Sequence, residues 1–427
     1  MMNESNSTAL SRTAWLVVAL LVPVALLNYL DRQMLAAMKF SMVQDISGVE
    51  AKAHWGIVLG AFKWVYAILS PFGGYLSDRL NRKWVIISSL FVWSLVTWAT
   101  AHVTTFNELV LTRAFMGVSE AFYIPAALAM ITEFHLGATR SRAVGFHQMG
   151  IYAGLIIGGF AGFVAENPDL GWRSAFSLCG GIGVLYAVPL MYLLPNPPQQ
   201  RDEKVHASLG GALSELLSNR NFNLLVLYFT LPALAGWVVK DWMPEILREQ
   251  FHLGQGIAGM SAVLYVQIAS LVGVGLGGWL ADRWMRHSLR GRIFVSALGM
   301  SFFLPALFGV GNAGTLNVAI AFLILFGIGW GFFDCNNMPI LCQIARPHLR
   351  ATGYGIMNLV SISCGGFADW GFGAMRDRQI PLNVIFGVFA AVAGLSILIV
   401  LLIRPKPDSW TNQQVGTESE SPAPSDH

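Results

Sequence analysis

Asp31 and Arg32 stand side by side in LLNYLDRQML, after a run from Trp15 to Leu30 that holds no charge. In RAFMGVSEA, Arg113 and Glu120 are seven residues apart, two helical turns, and so share a face. Burial disfavours an ionised carboxyl and a neighbouring cation favours it, so a cavity that opens and closes can load and unload a proton there. Asp31 and Glu120 are therefore the proton-coupling candidates. An arginine stays charged and offers a planar fork to a carboxylate or phosphate. Arg32 and Arg113 accordingly read as anchors for an anion, or as internal partners of the two carboxylates. The competing reading is a structural ion-pair cluster that fixes helix packing.

Five further charges fall in apolar runs: Lys63, Lys240, Asp241, Asp334 and Asp369. Each of the nine would cost roughly 2.5–3.5 kcal/mol at a bilayer centre, together on the order of 25 kcal/mol if unpaired. They must be paired or face a wet cavity. Lys63 reads as a cation for a second acidic group, or as a partner of Glu120 or Asp334. Asp334, Asn336 and Asn337 in DCNNMP, with Asn358, add groups suited to a hydroxylated acid, because an amide both donates and accepts. Ser361 and Ser363 fit interhelical packing. A long lipid would instead require an apolar groove. In HQMGIYAG, Gln148 and Tyr152 are candidate substrate contacts, and His147 reads as an interfacial histidine.

The elements that must position these side chains follow from composition. The 427 residues are 55% hydrophobic and 12% charged, about half the charge of an average soluble domain. This predicts an integral membrane protein, and the net charge of +3 gives no reason to expect nucleic acid as a partner. Runs of about 20 apolar residues can span a bilayer. Twelve are predicted, at 13–38, 54–76, 84–102, 106–134, 143–166, 174–194, 222–247, 256–280, 292–310, 315–343, 353–375 and 381–403. The fold class is all-α, with twelve transmembrane helices in two pseudo-symmetric six-helix bundles. The expected organisation is a cytoplasmic tail (1–12), a first bundle (13–194), a cytoplasmic linker (195–221), a second bundle (222–403) and a disordered cytoplasmic tail (404–427). Lys and Arg outside the spans favour the side of the termini, seventeen to six, which predicts both termini in the cytoplasm. The sequons at Asn3 and Asn6 then read as chance matches.

The halves repeat. GYLSDRLNRK (74–83) is echoed by GWLADRWMRHSLRGR (278–292), and RSRAVG (140–145) by HLRATG (348–353). Lys240–Asp241 lies about 18 residues into span seven, the depth of Asp31–Arg32 in span one. GVGLGG (273–278) mimics a dinucleotide loop but sits in an apolar run with no strand before it. The four cysteines have no metal or disulfide spacing. No catalytic constellation is present, so no enzyme, metal site or cofactor is expected.

Twelve spans, the duplication and the Gly-x-Leu-x-Asp-Arg loop resemble the major facilitator superfamily. That resemblance implies a midplane site between two bundles, alternating access by rocking, and a monomer. It also implies gating roles for Gly74, Asp78, Arg79 and Arg82, and for Gly278, Asp282 and Arg283. NYLDR together with RAFMGVSEA resembles the anion:cation symporter branch, which moves sugar acids and other organic anions with protons or sodium. The likeness implies protonation at Asp31 and Glu120, substrate held by Arg32, and contacts from Tyr29 and Tyr66. WVVKDWMPEIL (237–247) resembles that branch's Trp-x-Pro-x-x-Leu pattern. GVSEAFYIPAALA and ATRSRAVG also resemble the spinster branch, whose members export lipids or lysolipids. The expected function is symport of a small organic anion, such as a sugar acid, with a proton, sodium being the other coupling ion. The expected place is the inner membrane of a bacterium. The alternatives are a spinster-like exporter of an amphiphile and a membrane sensor that binds without transporting. The substrate-binding candidates are thus Tyr29, Arg32, Lys63, Tyr66, Arg113, Gln148, Tyr152, Lys240, Asp334, Asn336, Asn337 and Asn358.

Overall fold

The computed structural model describes residues 4–135, 139–196, 209–346 and 349–405, with side chains described outside 4–11, 73–79, 141 and 209. Sixteen helices are formed: α1 (Glu4–Ala37), α2 (Lys39–Asp45), α3 (Lys52–Arg79), α4 (Arg82–Thr100), α5 (Phe106–Glu120), α6 (Tyr123–Phe134), α7 (Arg140–Gly159), α8 (Ala161–Glu166), α9 (Gly171–Leu193), α10 (Leu209–Ser218), α11 (Arg220–Phe251), α12 (Gln255–Met285), α13 (Gly291–Asn312), α14 (Leu316–Ile344), α15 (Arg350–Asp377) and α16 (Leu382–Leu402). Among the described residues, eleven segments are long and apolar enough to cross a membrane. The predicted span at 353–375 lies within α15. Its 28 residues suffice for a crossing, but Asn358, Ser361, Ser363 and Asp369 make it more polar than the others.

Caps set several helix starts. The Thr105 hydroxyl accepts from Glu108 N at 3.3 Å while the Glu108 carboxylate accepts from Thr105 N at 3.2 Å, a reciprocal box opening α5. Asn81 and Asn219 cap α4 and α11 one-sidedly, their side-chain oxygens accepting from backbone N–H groups of the first turn. The predicted span 106–134 is a helix in two parts, α5 and α6, parted at Ala121 and Phe122. Pro125 is the cause. It lacks an N–H, and its ring crowds the carbonyl four residues back, that of Ala121. The segment read as a linker holds a short helix, α10, whose Ala212 and Leu216 are buried, and whose Glu215 pairs with Arg346 at 3.3 Å.

Packing falls into two groups. Apart from α3 and α15, whose most extensive contact is with each other, helices α1 to α9 contact mainly one another, as do α11 to α16. In the first group α7 lies against α1 through a small-residue stripe. A Cβ at Gly150 or Gly158 would meet the Val22 or Leu30 carbonyl oxygen at 2.7 Å, and one at Gly154 would run into that of Leu26. Side chains four apart on one helix thus vanish so that the other backbone can fit.

The groups join chiefly through α3 on α15 and through α7 and α8 on α12. The side bearing both ends of the described chain is called the terminal face, and the opposite side the far face. Every hydrogen bond or ion pair joining described residues of the two groups lies between mid-membrane and the far face. There Lys39 pairs with Glu245, and the Lys52 ammonium meets Glu249 at 2.6 Å. Lys52 N and Ala53 N donate to Asp377 at 2.9 and 2.8 Å, and Gln255 N donates to Glu166. Burial pulls the Lys39 ammonium down from its usual value, and Glu245 opposes that.

Candidate functional site

The far-face halves of α1, α4 and α5 converge on four charges. Helix α1 ends about 9 Å beyond Asp31 at 1.5 Å per residue, and α5 begins about 10 Å before Arg113, so the two meet at one depth. Arg113 Nη1 lies 3.7 Å from Asp31 Oδ1, and the Thr97 hydroxyl donates to Asp31 Oδ2. Arg32 donates through Nε to Glu120 Oε2 at 2.6 Å and through Nη2 to Asn28 Oδ1 at 3.2 Å. Asp31, Arg113 and Glu120 are buried, and Arg32 is only slightly exposed. The quartet is electrically balanced, two cations against two carboxylates.

Aromatic rings complete the cage. The Arg32 guanidinium carbon lies 4.7 Å from the Tyr29 ring centre, 4.6 Å from Phe62 and 5.1 Å from Tyr66. Such stacking favours a weakly hydrated guanidinium. Phe62 is shared, because Arg113 lies 5.0 Å from the same ring.

A cavity of about 380 Å³ opens beside this cage. Of the predicted substrate contacts, Tyr29, Arg32, Tyr66, Gln148, Tyr152, Lys240, Asp334 and Asn358 line it. Most of the remaining wall is apolar, including Ile124, Leu155, Phe229, Trp330 and Phe333. The Lys240 ammonium sits 5.3 Å from Tyr29 and 5.1 Å from Trp237. No described carboxylate lies within 4 Å of it. Asp334 is exposed to the cavity, likewise without an ion-pair partner.

Four candidates do not line this cavity. Arg113 is behind Phe62 with Asp31. Asn336 donates to the Phe332 carbonyl of its own helix at 2.9 Å, and Asn337 is buried with both amide atoms unpartnered. Lys63 forms a second charged cluster. Its ammonium contacts Asp241 on α11 and Asp369 on α15, in the other group of helices, and stacks 4.3 Å from Trp237. Glu120 and Asp334 are not its partners. His147, two turns past the start of α7 at Arg140, is 1% exposed, and its Nε2 lies 3.0 Å from the Tyr123 hydroxyl.

Of the gating candidates, Arg82 pairs with Glu133 on α6. The side chains of Gly74, Asp78 and Arg79 lie outside the described residues. In the second copy Asp282 is largely exposed and 3.9 Å from Arg292, Arg283 lies 5.9 Å from the Trp279 ring, and Gly278 has open space where a Cβ would stand.

Asn28, Phe62 and Thr97 join the site without having been singled out from the sequence. Asn28 carried a usable signal, one turn before Arg32 on the same face. Thr97 looked like any threonine in an apolar helix.

Known proteins place this geometry in context. The family model described as Major Facilitator Superfamily matches residues 21–368. The Bos taurus protein spinster homolog 1 is 28% identical over 389 residues, covering 85% of this chain and 73% of its own. The Danio rerio protein spinster homolog 3 is 26% identical, covering 98% of this chain and 91% of its own. Among solved structures, a bacterial homolog to the human lysosomal transporter spinster, inward-facing and unoccupied, superposes with a TM-score of 0.74 at 19% identity, over 92% of this chain and 95% of that one. A D-xylose–proton symporter gives 0.73 at 17%, over 92% and 98%. With its paired helix groups and the cavity between them, the chain belongs to the major facilitator superfamily and is one of its multi-pass membrane transporters, not an enzyme.

Proposed function

We propose that the chain moves an organic anion together with protons, and that the anion is an amphiphile. The carrying observation is Arg32, whose fork is held by buried Glu120 while its other side borders the cavity. An anionic head group reaching Arg32 competes with Glu120 for that fork. A buried carboxylate stripped of its partner costs about 3–5 kcal/mol. Taking up a proton at Glu120 removes that cost, so the anion and a proton occupy the carrier together. Lys240, with no carboxylate of its own, offers the head group a second cation. The apolar wall suits a hydrocarbon tail, and the likeness to spinster homologues supports this cargo. A sugar acid is the second reading, supported by Gln148, Tyr152 and Asn358 on the same wall.

The bias of basic residues supports cytoplasmic termini. On that orientation the described bonds between the two groups hold the outer side shut. The segments 13–194 and 222–403 then act as the two rocking halves, and the Asp78 and Asp282 loops as the gate on the terminal face. The deciding experiment is transport in proteoliposomes under an imposed pH gradient, with lysolipids, hexuronates and aldonates as cargo. Lysolipid movement driven by the gradient, and lost to the gradient but kept in exchange by Glu120→Gln, is the expected result. Gradient-driven movement of sugar acids alone selects the second reading. Transport indifferent to the gradient overturns proton coupling.

A further inference from the structure

The quartet does not account for the charged cluster at Lys63. Lys63 is 3% exposed, Asp241 9% and Asp369 0%. One ammonium serves two carboxylates, and it reaches them across the boundary between the helix groups. The Asp369 carboxylate is buried with the Trp242 indole as a neighbouring donor, and that indole is neutral.

The surrounding charges leave Asp369 with Lys63 alone. On α11, Lys240 follows Trp237 and stands beside Asp241 in sequence, sharing the Trp237 ring with Lys63. From α2, Lys39 lies 4.2 Å from the Trp242 ring but is paired with Glu245. From α5 and α1, Arg113, Glu120, Asp31 and Arg32 are matched among themselves. On α14, Asp334 faces the cavity. Helix α16 contributes no ionisable side chain.

Alternation between the two faces requires α3 to part from α11 and α15. Water then enters from the far face, and Lys63 leaves with α3. The cations of its own group are held elsewhere, Lys240 beside Asp241 and Arg376, two turns along α15, by Glu249 at 3.7 Å, so Asp369 loses its ion-pair partner. We propose that Asp369 is a second proton site, loaded when the far face opens and emptied when Lys63 returns. In opening, the Lys63 N–H···O contacts break and an Asp369 oxygen bonds a proton from the entering water. In closing, that O–H bond breaks, the proton returns to water, and the ammonium takes its place.

The inference rests on the alternation proposed above, but on neither the cargo nor Glu120. Its test is a pulsed electron-spin distance between labels at Thr104 and Arg378, both exposed at the far face, in a full chain whose four native cysteines are replaced. The wild-type ratio of open to closed far face should rise with acidity by up to about tenfold per pH unit, the limit for one linked proton. Asp369→Asn should open the far face at neutral pH and cut the slope to less than about twofold per unit. The paired change Asp31→Asn and Glu120→Gln, which leaves this cluster intact, should keep a pH slope. That variant decides the matter if Asp369→Asn fails to fold. Loss of all slope in the paired variant, an unchanged slope in Asp369→Asn, or a response to sodium in place of pH overturns the second site. A far face that stays closed at every pH overturns the alternation itself.

Discussion

The two charged clusters solve the same problem differently. The quartet of Asp31, Arg32, Arg113 and Glu120 is balanced and lies wholly within the first group of helices. Its pairs survive any motion that keeps that group intact. The cluster of Lys63, Asp241 and Asp369 holds one cation against two anions and crosses between the groups. It cannot survive their separation. A balanced cluster within one body can wait for a ligand, whereas an unbalanced one between bodies reports their position. Lys240 stands between them, touching Tyr29 of the first and Trp237 of the second.

The contrast can be broken most strongly at Lys63. Lys63→Met leaves two buried carboxylates without a cation and should cost about 3–5 kcal/mol of stability, read as a lowered thermal midpoint in detergent. Replacing all three residues by apolar ones of similar volume should restore most of that loss. An unshifted midpoint in Lys63→Met shows that the cluster bears no load in the closed state. Next comes Arg32→Lys. A lysine keeps the charge but loses the fork and the stacking, so initial transport rates should fall on the order of 100-fold with the protein still monodisperse. Full transport in that variant removes Arg32 as the anchor. The smallest effect sharpens the cavity boundary. Asn358→Ala should raise KM roughly threefold to tenfold through one lost hydrogen bond, while Asn336→Ala, whose amide serves its own helix, should change it less than about twofold. Equal effects at both positions place the cargo elsewhere.

The sequence made some of this legible. Arg113 and Glu120 at two turns had to share a face, and depth alone brought Asp31 to Arg113. The partners of Lys63 were not readable. They depend on which face of α3 meets α11 and α15, and those helices carry no local mark of long-range pairing. Asn336 and Asn337 looked like cavity residues by polarity, but polarity does not say which way a helix is rotated. The interruption of span four was present in the sequence as Pro125, though a hydropathy scan passes over a single proline in so apolar a run. The pattern LGGALSELLS likewise held the amphipathic α10 inside a linker that its charged flank made look structureless.

The break at Ala121 and Phe122 has a mechanical consequence. A continuous helix transmits a push from end to end, but one with a missing rung bends at the gap. Glu120 is the last residue above that gap, fixed to Arg32, while α6 below it carries Glu133 and its pairing with Arg82. The terminal-face end of this span can therefore swing without shifting the charge held above it. The chain has a wrist at this point as well as the shoulder between its two groups of helices.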